Sequence, residues 1–384
     1  MSNPKKPAVE EHNLFAVCAP GLELFTDAEL KSLGISTSQP RIGQGGVEFN
    51  GAWDEIYLSN HWSRTATRIL LRLAEFKVLT FAELVEKTAK IPWENYLPKT
   101  SPLAIRVTCS KSKLYHSGAV KQRVLEGIAK RIGSELPSGE YDEEGSINQR
   151  IVVRLDHDIC QVSIDTSGTA LYKRGYRLAT GKAGLRETLA AAMLYASSWD
   201  RKSPLVDPFC GSGVIPIEAA LMAKNVAPGS LRSFAFQNFP AFLTLKPKIA
   251  EPRTVIECSV EALQIFGSDR DCQVIEFAKG NAKRAGVLDY IDFECKSISE
   301  ISAPSQVGWI VTNPPYGKRI SENQDMRNLY SHFGDILRKN FPSWHVAYLC
   351  NDEKIASRTK IEFTKGYSLN NGGIPVKLSL GTVK

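Results

Sequence analysis

The chain lacks any apolar run near the ~18 residues that cross a bilayer. Its polar start, MSNPKKPAVEEHN, also has no hydrophobic core of a signal peptide. A cytosolic protein without a membrane partner is the expectation. Cysteine occurs eight times, at 18, 109, 160, 210, 258, 272, 295 and 350, but never as a CxxC pair, which argues against zinc or another metal. In a reducing compartment such scattered thiols act as small apolar side chains, so no disulfide is expected either. Internal repeats and low-complexity segments are absent. Charge of one sign is only mildly in excess: 48 Lys plus Arg against 41 Asp plus Glu leave +7. Such a balance permits an anionic partner without demanding one. At 384 residues the chain is too long for one typical core and suggests roughly two to three domains.

Residues 13 to 60 read strand, helix, strand, with NLFAVCA, GLELFTDAELKSLG and GGVEFNG in turn. From 61 to 100 the pattern reads as amphipathic helix, RTATRILLRLAEF leading towards TFAELVEKTAKI. LAIRVTCS alternates like a half-buried strand, GAVKQRVLEGIAKRIGSEL is a helix, and QRIVVRLDHDICQVSIDTSG is two strands around a turn at Asp156-His157-Asp158. The acidic SGEYDEEGS at 138–146 reads as an exposed loop. The front half is therefore a mixed α+β unit.

After Gly181 strands and helices alternate. A helix LRETLAAAMLYASSW precedes the strand PLVD, the turn PFCGSG and the helix VIPIEAALMAK; an irregular stretch rich in Pro and Phe runs from 225 to 258. Then come LQIFGSD, DCQVIEFAKGNAKRAG, YIDFEC, GWIVTNP, DMRNLYSHFGDILRKNF and HVAYLC, and the end reads as a hairpin around Asn371-Gly372. Such alternation predicts parallel βαβ units in a doubly wound α/β sheet.

In a doubly wound sheet, ligands bind beyond the carboxyl ends of the strands. Four strand ends carry chemistry. The first continues as Asp207-Pro208-Phe209-Cys210-Gly211-Ser212-Gly213, where glycines admit a ligand to the backbone and the next helix offers its amides. Asp207 would repel a pyrophosphate and suits an amino-bearing ligand. The second ends at Asp269-Arg270, a carboxylate suited to ribose hydroxyls, far more than the ~20 residues of the dinucleotide fingerprint beyond Asp207. The third ends at Glu294-Cys295-Lys296-Ser297 and the fourth at Asn313-Pro314-Pro315-Tyr316. Two prolines donate no hydrogen bond and hold an extended backbone with exposed acceptors. An adenosine with an amino-acid tail satisfies these positions together.

DPFCGSG, GSDRD and NPPYG, in this order and spacing, resemble the class I S-adenosylmethionine-dependent methyltransferases that act on exocyclic amines of nucleobases. LYKRGYR, GLRETLAAAML, GLELFTDAEL and GGVEFNG are similar to one subgroup, the THUMP-domain RNA methyltransferases, and within it to the guanine-N2 half of the bacterial large-subunit rRNA enzymes. The resemblance covers nearly the whole chain. It implies a ferredoxin-like segment over 1–60, a THUMP RNA-binding domain over 61–168, and a Rossmann-like, seven-stranded methyltransferase domain over 169–384. S-adenosylmethionine is the implied cofactor, held by Asp207, Phe209, Cys210, Gly211 and Gly213 on its methionine side and by Asp269 and Arg270 at the ribose. Ser297 falls where many relatives place an Asp near the adenine amine.

Asn313, Pro314, Pro315 and Tyr316 are the implied catalytic residues. The Asn313 side-chain oxygen and the Pro314 carbonyl accept the two N–H bonds of an amine, and Tyr316 stacks on its base, a contact of about 1 to 3 kcal/mol. For RNA, two basic clusters stand out. Lys111, Lys113, Lys121 and Arg123 belong to a stretch from 106 to 131 that also holds Arg106, Lys130 and Arg131 against the single acid Glu126. Lys173, Arg174 and Arg177 belong to the acid-free YKRGYRLATGKAGLR. The implied reaction is one methylation of guanine N2 in 23S rRNA or a large-subunit precursor. Adenine N6 of RNA or DNA, guanine N2 of tRNA, and a non-catalytic RNA-binding assembly factor stay open as alternatives.

Overall fold

The structure, a computed structural model, describes residues 11–40, 43–98, 102–137, 139, 149–178, 184–245, 263–316 and 323–384. The expected loop at 138–146, apart from residue 139, and residues 179–183 of YKRGYRLATGKAGLR lie outside the described residues, as does 246–258 of the irregular stretch.

The front half runs β1 (His12–Val17), α1 (Glu23–Ser32), β2 (Gly46–Gly51), α2 (Trp53–Trp62), β3 (Arg68–Lys77), α3 (Phe81–Ala89), β4 (Leu103–Ser110), α4 (Ser117–Ile132), β5 (Gln149–Asp156) and β6 (Ile159–Asp165). Its strands form one six-stranded sheet in the order β2-β1-β3-β6-β5-β4. The helix expected over RTATRILLRLAEF is corrected: this segment supplies β3. Its Ile-Leu-Leu run is compatible with either period, and pairing decides, because β3 is flanked by β1 on one side and β6 on the other. The boundary expected at residue 60 falls within α2, and the two front segments share this sheet through β3.

The second half runs α5 (Glu187–Ala196), β7 (Leu205–Asp207), α6 (Val214–Ala223), α7 (Pro240–Leu245), β8 (Ile265–Asp269), α8 (Cys272–Arg284), β9 (Ile291–Cys295), β10 (Trp309–Thr312), α9 (Asn323–Asn340), β11 (His345–Cys350), α10 (Glu353–Ala356), β12 (Phe363–Asn371) and β13 (Ile374–Thr382). These strands form the expected seven-stranded sheet, in the order β12-β13-β11-β10-β7-β8-β9. β7 to β11 pair in parallel, and β13 closes antiparallel on β11. The strand order reverses at β7, between β8 and β10, so the crevice for a ligand opens at their carboxyl ends. α6 is apolar all round apart from Glu218 and is buried along its whole length, as a helix sandwiched between layers must be.

Part of the stretch read as irregular has a defined job. Phe234, Phe236 and Phe239 enter the core of the front half, where Phe239 meets Trp53 at 6.5 Å and Tyr96 at 6.0 Å between ring centroids. Polar contacts join the halves as well. Arg64 Nη2 donates to the carbonyls of Val226 (2.6 Å) and Leu221 (3.3 Å). The buried Glu29 accepts from the Arg64 N–H, from the Ser63 and Thr65 hydroxyls and from the Tyr195 hydroxyl.

Candidate functional site

The four strand ends singled out from the sequence converge, and hydrogen bonds tie them to one another. Asp207 closes β7 with its carboxyl 1 % exposed. Its Oδ1 accepts from the Thr312 hydroxyl at 2.6 Å and from the Phe209 N–H at 3.2 Å. Thr312 is the last residue of β10, so this bond ties the acidic turn to the start of Asn313-Pro314-Pro315-Tyr316. Burial, reinforced by the nearby Asp269 charge, pushes the Asp207 pKa up from 3.8 to about 7.

The glycine turn is built for close approach. A side chain added at Gly211 would meet nothing within 4 Å, so the backbone there faces open space. Gly213 is different: at φ +83 its added Cβ would lie 2.9 Å from the Ala278 Cβ and 3.0 Å from the Phe293 ring, and only glycine lets α6 start there. Gly211 N–H donates to Asp269 Oδ2 at 3.2 Å, and Asp269 Oδ1 accepts from the Asp271 N–H at 3.1 Å. Arg270 is exposed beside it. Lys296 N–H reaches the Asp269 carbonyl at 3.0 Å, joining the end of β9 to the same crevice. Ser297 donates its hydroxyl to Glu300 Oε2 at 2.8 Å, which leaves its oxygen lone pairs free to accept. Phe209 is half-buried with its ring edge-on to Phe333 at 5.3 Å. Cys210 turns its side chain inward within this turn: it is 6 % exposed, its N–H donates to the Ser268 carbonyl, and burial raises its thiol pKa far above the ordinary range.

Thiol chemistry supplies a second correction. Cys272 and Cys295 form a disulfide, with 5.0 Å between Cα atoms. The expectation of no disulfide rested on a reducing compartment and on the scatter of the thiols along the chain. In the sheet Cys295 is the register partner of Asp269, and Cys272 begins α8 three residues later, so the two meet across neighbouring parallel strands.

At the fourth strand end, Asn313 Oδ1 is buried without a hydrogen-bond partner. A buried acceptor of this kind costs about 1 to 3 kcal/mol unless a ligand satisfies it. Pro314 is buried, and the Pro315 carbonyl accepts from the Tyr330 hydroxyl at 3.4 Å. Tyr316 is corrected. Its ring is 3 % exposed and its hydroxyl accepts from Asn371 Nδ2 at 2.7 Å, so it presents no open face on which a base could stack. Thr312 and Tyr330 went unread in the sequence and Asn371 was read only as a turn residue; the position of Thr312 directly before the tetrapeptide was the one signal.

Of the basic residues, Lys111 and Lys113 are exposed near Tyr115, whose ring is 80 % exposed, and Lys121 is half-buried on α4. Arg123 pairs with Glu126 at 2.6 Å. Lys130 and Arg131 are neutralised by Glu86 and Glu94, which the local charge count along the chain had left out. Arg174 and Arg177 are corrected. Arg174 is 2 % exposed and pairs with the fully buried Glu218 at 3.4 Å while donating to the carbonyls of Leu171 and Arg64. Arg177 is largely buried, donating to the Leu185 carbonyl at 2.7 Å beside Glu187. Neither can reach a phosphate; Lys173 is half-buried next to them.

Three family models match consecutive parts of the chain: the RlmL ferredoxin-like domain at residues 13–70, the THUMP domain at 79–165, and the RMKL-like methyltransferase domain at 174–379. The ribosomal RNA large subunit methyltransferase K/L of Desulfotalea psychrophila is 33% identical over 390 residues, covering 98% of this chain and 53% of that protein. The chain thus spans about half the length of that relative. Among solved structures, a predicted N6-adenine-specific DNA methylase from Listeria monocytogenes aligns with a TM-score of 0.84 and 33% identity, over 98% of this chain and 97% of that one. SMU.472, a methyltransferase complexed with SAH, aligns with a TM-score of 0.82 and 30% identity, over 98% of this chain and 99% of that one. The third family model spans more than half of the residues and contains all four strand ends of the crevice; the chain belongs to the RMKL-like methyltransferase-domain family.

Proposed function

We propose that this chain is an RNA methyltransferase that transfers a methyl group to the exocyclic N2 amine of a guanine in large-subunit ribosomal RNA. The observation that carries the proposal is the buried, unpartnered Asn313 Oδ1 directly after β10, at the fourth strand end. An exocyclic amine has two N–H donors and a lone pair delocalised into the ring, so it reacts only when acceptors orient it. Asn313 Oδ1 accepts one N–H and the Pro314 carbonyl the second, which draws the lone pair back onto the nitrogen and fixes the direction in which it points.

The crevice fits S-adenosylmethionine, the cofactor of this family. Gly211 faces open space, the Asp269 carboxylate is fixed beside it for a ribose, and Asp207 offers a carboxylate to an amino group. When bound, the cofactor supplies an electrophilic methyl on sulfonium. The protein then needs no strong base, because the nitrogen becomes acidic once it is alkylated. Holding the amine oriented can account for about 7 to 11 kcal/mol of the barrier. A paired guanine would first have to leave its stack.

RNA as the substrate is supported by the THUMP match and by the relative's function on ribosomal RNA. Lys111, Lys113 and Lys121, with the exposed Tyr115, form the surface that would track a phosphate backbone. A second reading, adenine N6, is favoured by the Listeria neighbour. Both bases present an amine that Asn313 can hold. Mass spectrometry of rRNA nucleosides from cells lacking the gene decides between them. Loss of N2-methylguanosine is the expected result; unchanged N2-methylguanosine with loss of N6-methyladenosine would overturn the guanine reading.

A further inference from the structure

We infer that Asn371, at the tip of the C-terminal hairpin, is a positioning residue for methyl transfer, acting through Tyr316 on the loop that holds the target amine. The inference rests on the catalytic reading of Asn313 given above.

The sequence places Asn371 in a turn, the usual task of Asn before Gly. In the structure other residues perform that task. Gly372 and Gly373, at φ +60 and +90, make the two-residue turn, and Asn370 Oδ1 accepts from the Gly373 N–H at 2.7 Å. Asn371 instead ends β12, is 7 % exposed, and points its amide inward to Tyr316, 55 residues earlier in the chain. A polar side chain buried without a turn role needs another partner, and the tetrapeptide is that partner.

Three anchors hold the four residues of that loop. Thr312 fixes its entry to Asp207, Tyr330 holds the Pro315 carbonyl, and Asn371 fixes its end through Tyr316. Thr312 and Tyr330 belong to the parallel βαβ part of the domain. Asn371 comes from the antiparallel hairpin, which is itself clamped on its outer flank: the Phe25 ring of α1 meets Tyr367 at 5.0 Å, and the backbone at Gly21 packs against Ser368. The last anchor of the amine-holding loop therefore stands on a strand gripped by the front half of the molecule. Among the described residues, Asp207, Gly211 and Asp269 make their hydrogen bonds to groups other than Asn371.

The consequence is a separation of effects. Asn371→Leu keeps the branched heavy-atom shape of the side chain but cannot donate, and Tyr316→Phe removes the acceptor from the other end. Both proteins and the double variant are compared with wild type by the single-turnover rate of labelled methyl transfer to total rRNA from cells lacking the gene. SAH affinity by calorimetry and the thermal midpoint are measured alongside. Each single variant should lose about tenfold to a hundredfold in rate, as small misplacements of reacting groups do, with SAH affinity unchanged. The double variant should be no slower than the slower single one. A wild-type rate for Asn371→Leu, loss of SAH affinity, or losses that multiply in the double variant would each overturn the assignment. A thermal midpoint that falls without a change in rate would do the same. Counting transferred label ignores which base is modified, so a wrong guanine assignment appears in the nucleoside analysis and leaves these ratios intact.

Discussion

Asp207 offers the test whose magnitude can be worked from the structure. Its carboxyl is 1 % exposed, and burial raises its pKa from 3.8 to about 7. Both described bonds fall on one oxygen, Oδ1, so in Asp207→Asn the amide oxygen keeps Thr312 and the Phe209 N–H while the ionisation disappears. A shift of about three pKa units corresponds to a ceiling of about 4 kcal/mol in favour of the neutral form. The sign follows from the direction of the shift: a raised folded pKa contributes stability that is complete below 3.8 and is lost as pH rises through about 7. Ligand-free wild type should therefore fall behind Asp207→Asn between about pH 4 and pH 8, with the gap levelling off above that. Urea unfolding of both proteins at stepped pH reads this directly. SAH binding gives the opposite trend. The wild type should bind more tightly as Asp207 ionises and faces the ligand's amino group, whereas Asp207→Asn should show a weaker, flatter profile. A stability difference that does not change with pH, or an Asp207→Asn protein less stable than wild type at pH 8, would refute the argument that burial sets this group's charge.

Other outcomes follow from the same geometry. Asn313→Ala should lower turnover on the order of a hundredfold, the usual cost of removing one preorganised polar group, while calorimetry shows SAH affinity intact; abolished binding would mean that Asn313 serves the cofactor and not the amine. Closing the segment between Cys272 and Cys295, separated by 23 positions, should stabilise the protein by about 3 kcal/mol. Reduction or Cys272→Ser should lower the thermal midpoint accordingly, and alkylation of both thiols in native, unreduced protein would show that the bridge does not form. Arg174→Met should cost about 3 to 5 kcal/mol of stability because it leaves Glu218 buried and unpaired, without changing the salt dependence of RNA binding. Lys111→Ala should do the reverse, leaving the melting curve alone and reducing the salt slope by about one.

The sequence located the candidate site residues, because they lie at strand ends. A parallel sheet brings the carboxyl end of every strand to one rim, so Asp207, Asp269, Ser297 and Asn313 meet whatever the lengths of the segments between them. Residues whose role depends on which neighbour they meet were harder to read. Ile69, Leu70 and Leu71 gave no period that separates strand from helix until β1 and β6 flanked them. Arg174 and Arg177 looked like a phosphate track because Glu218 and Glu187, which pair with them, are supplied by α6 and α5 further along the chain. Cys272 and Cys295 looked isolated for the same reason, since only the register of β8 against β9 brings them together.

The same distinction separates the reactive group from the parts that hold it still. Under the proposed function an acceptor such as Asn313 has to sit at a strand end, where sheets of this kind bind ligands, and its place in the motif follows. An anchor has no such constraint. Thr312 reaches Asp207 across 105 residues and Asn371 reaches Tyr316 across 55, and each is an ordinary polar residue whose local sequence suggests a β-strand or a turn. What marks them is the combination of near-complete burial with a hydrogen bond to the site, because a buried polar group persists only where its bond offsets the desolvation it suffers. Tyr316 joins the two classes. It belongs to the tetrapeptide by sequence, but its burial and its bond to Asn371 make it part of the scaffold, so under the proposed function the amine is held by the Asn313 and Pro314 acceptors without a stacking ring from Tyr316.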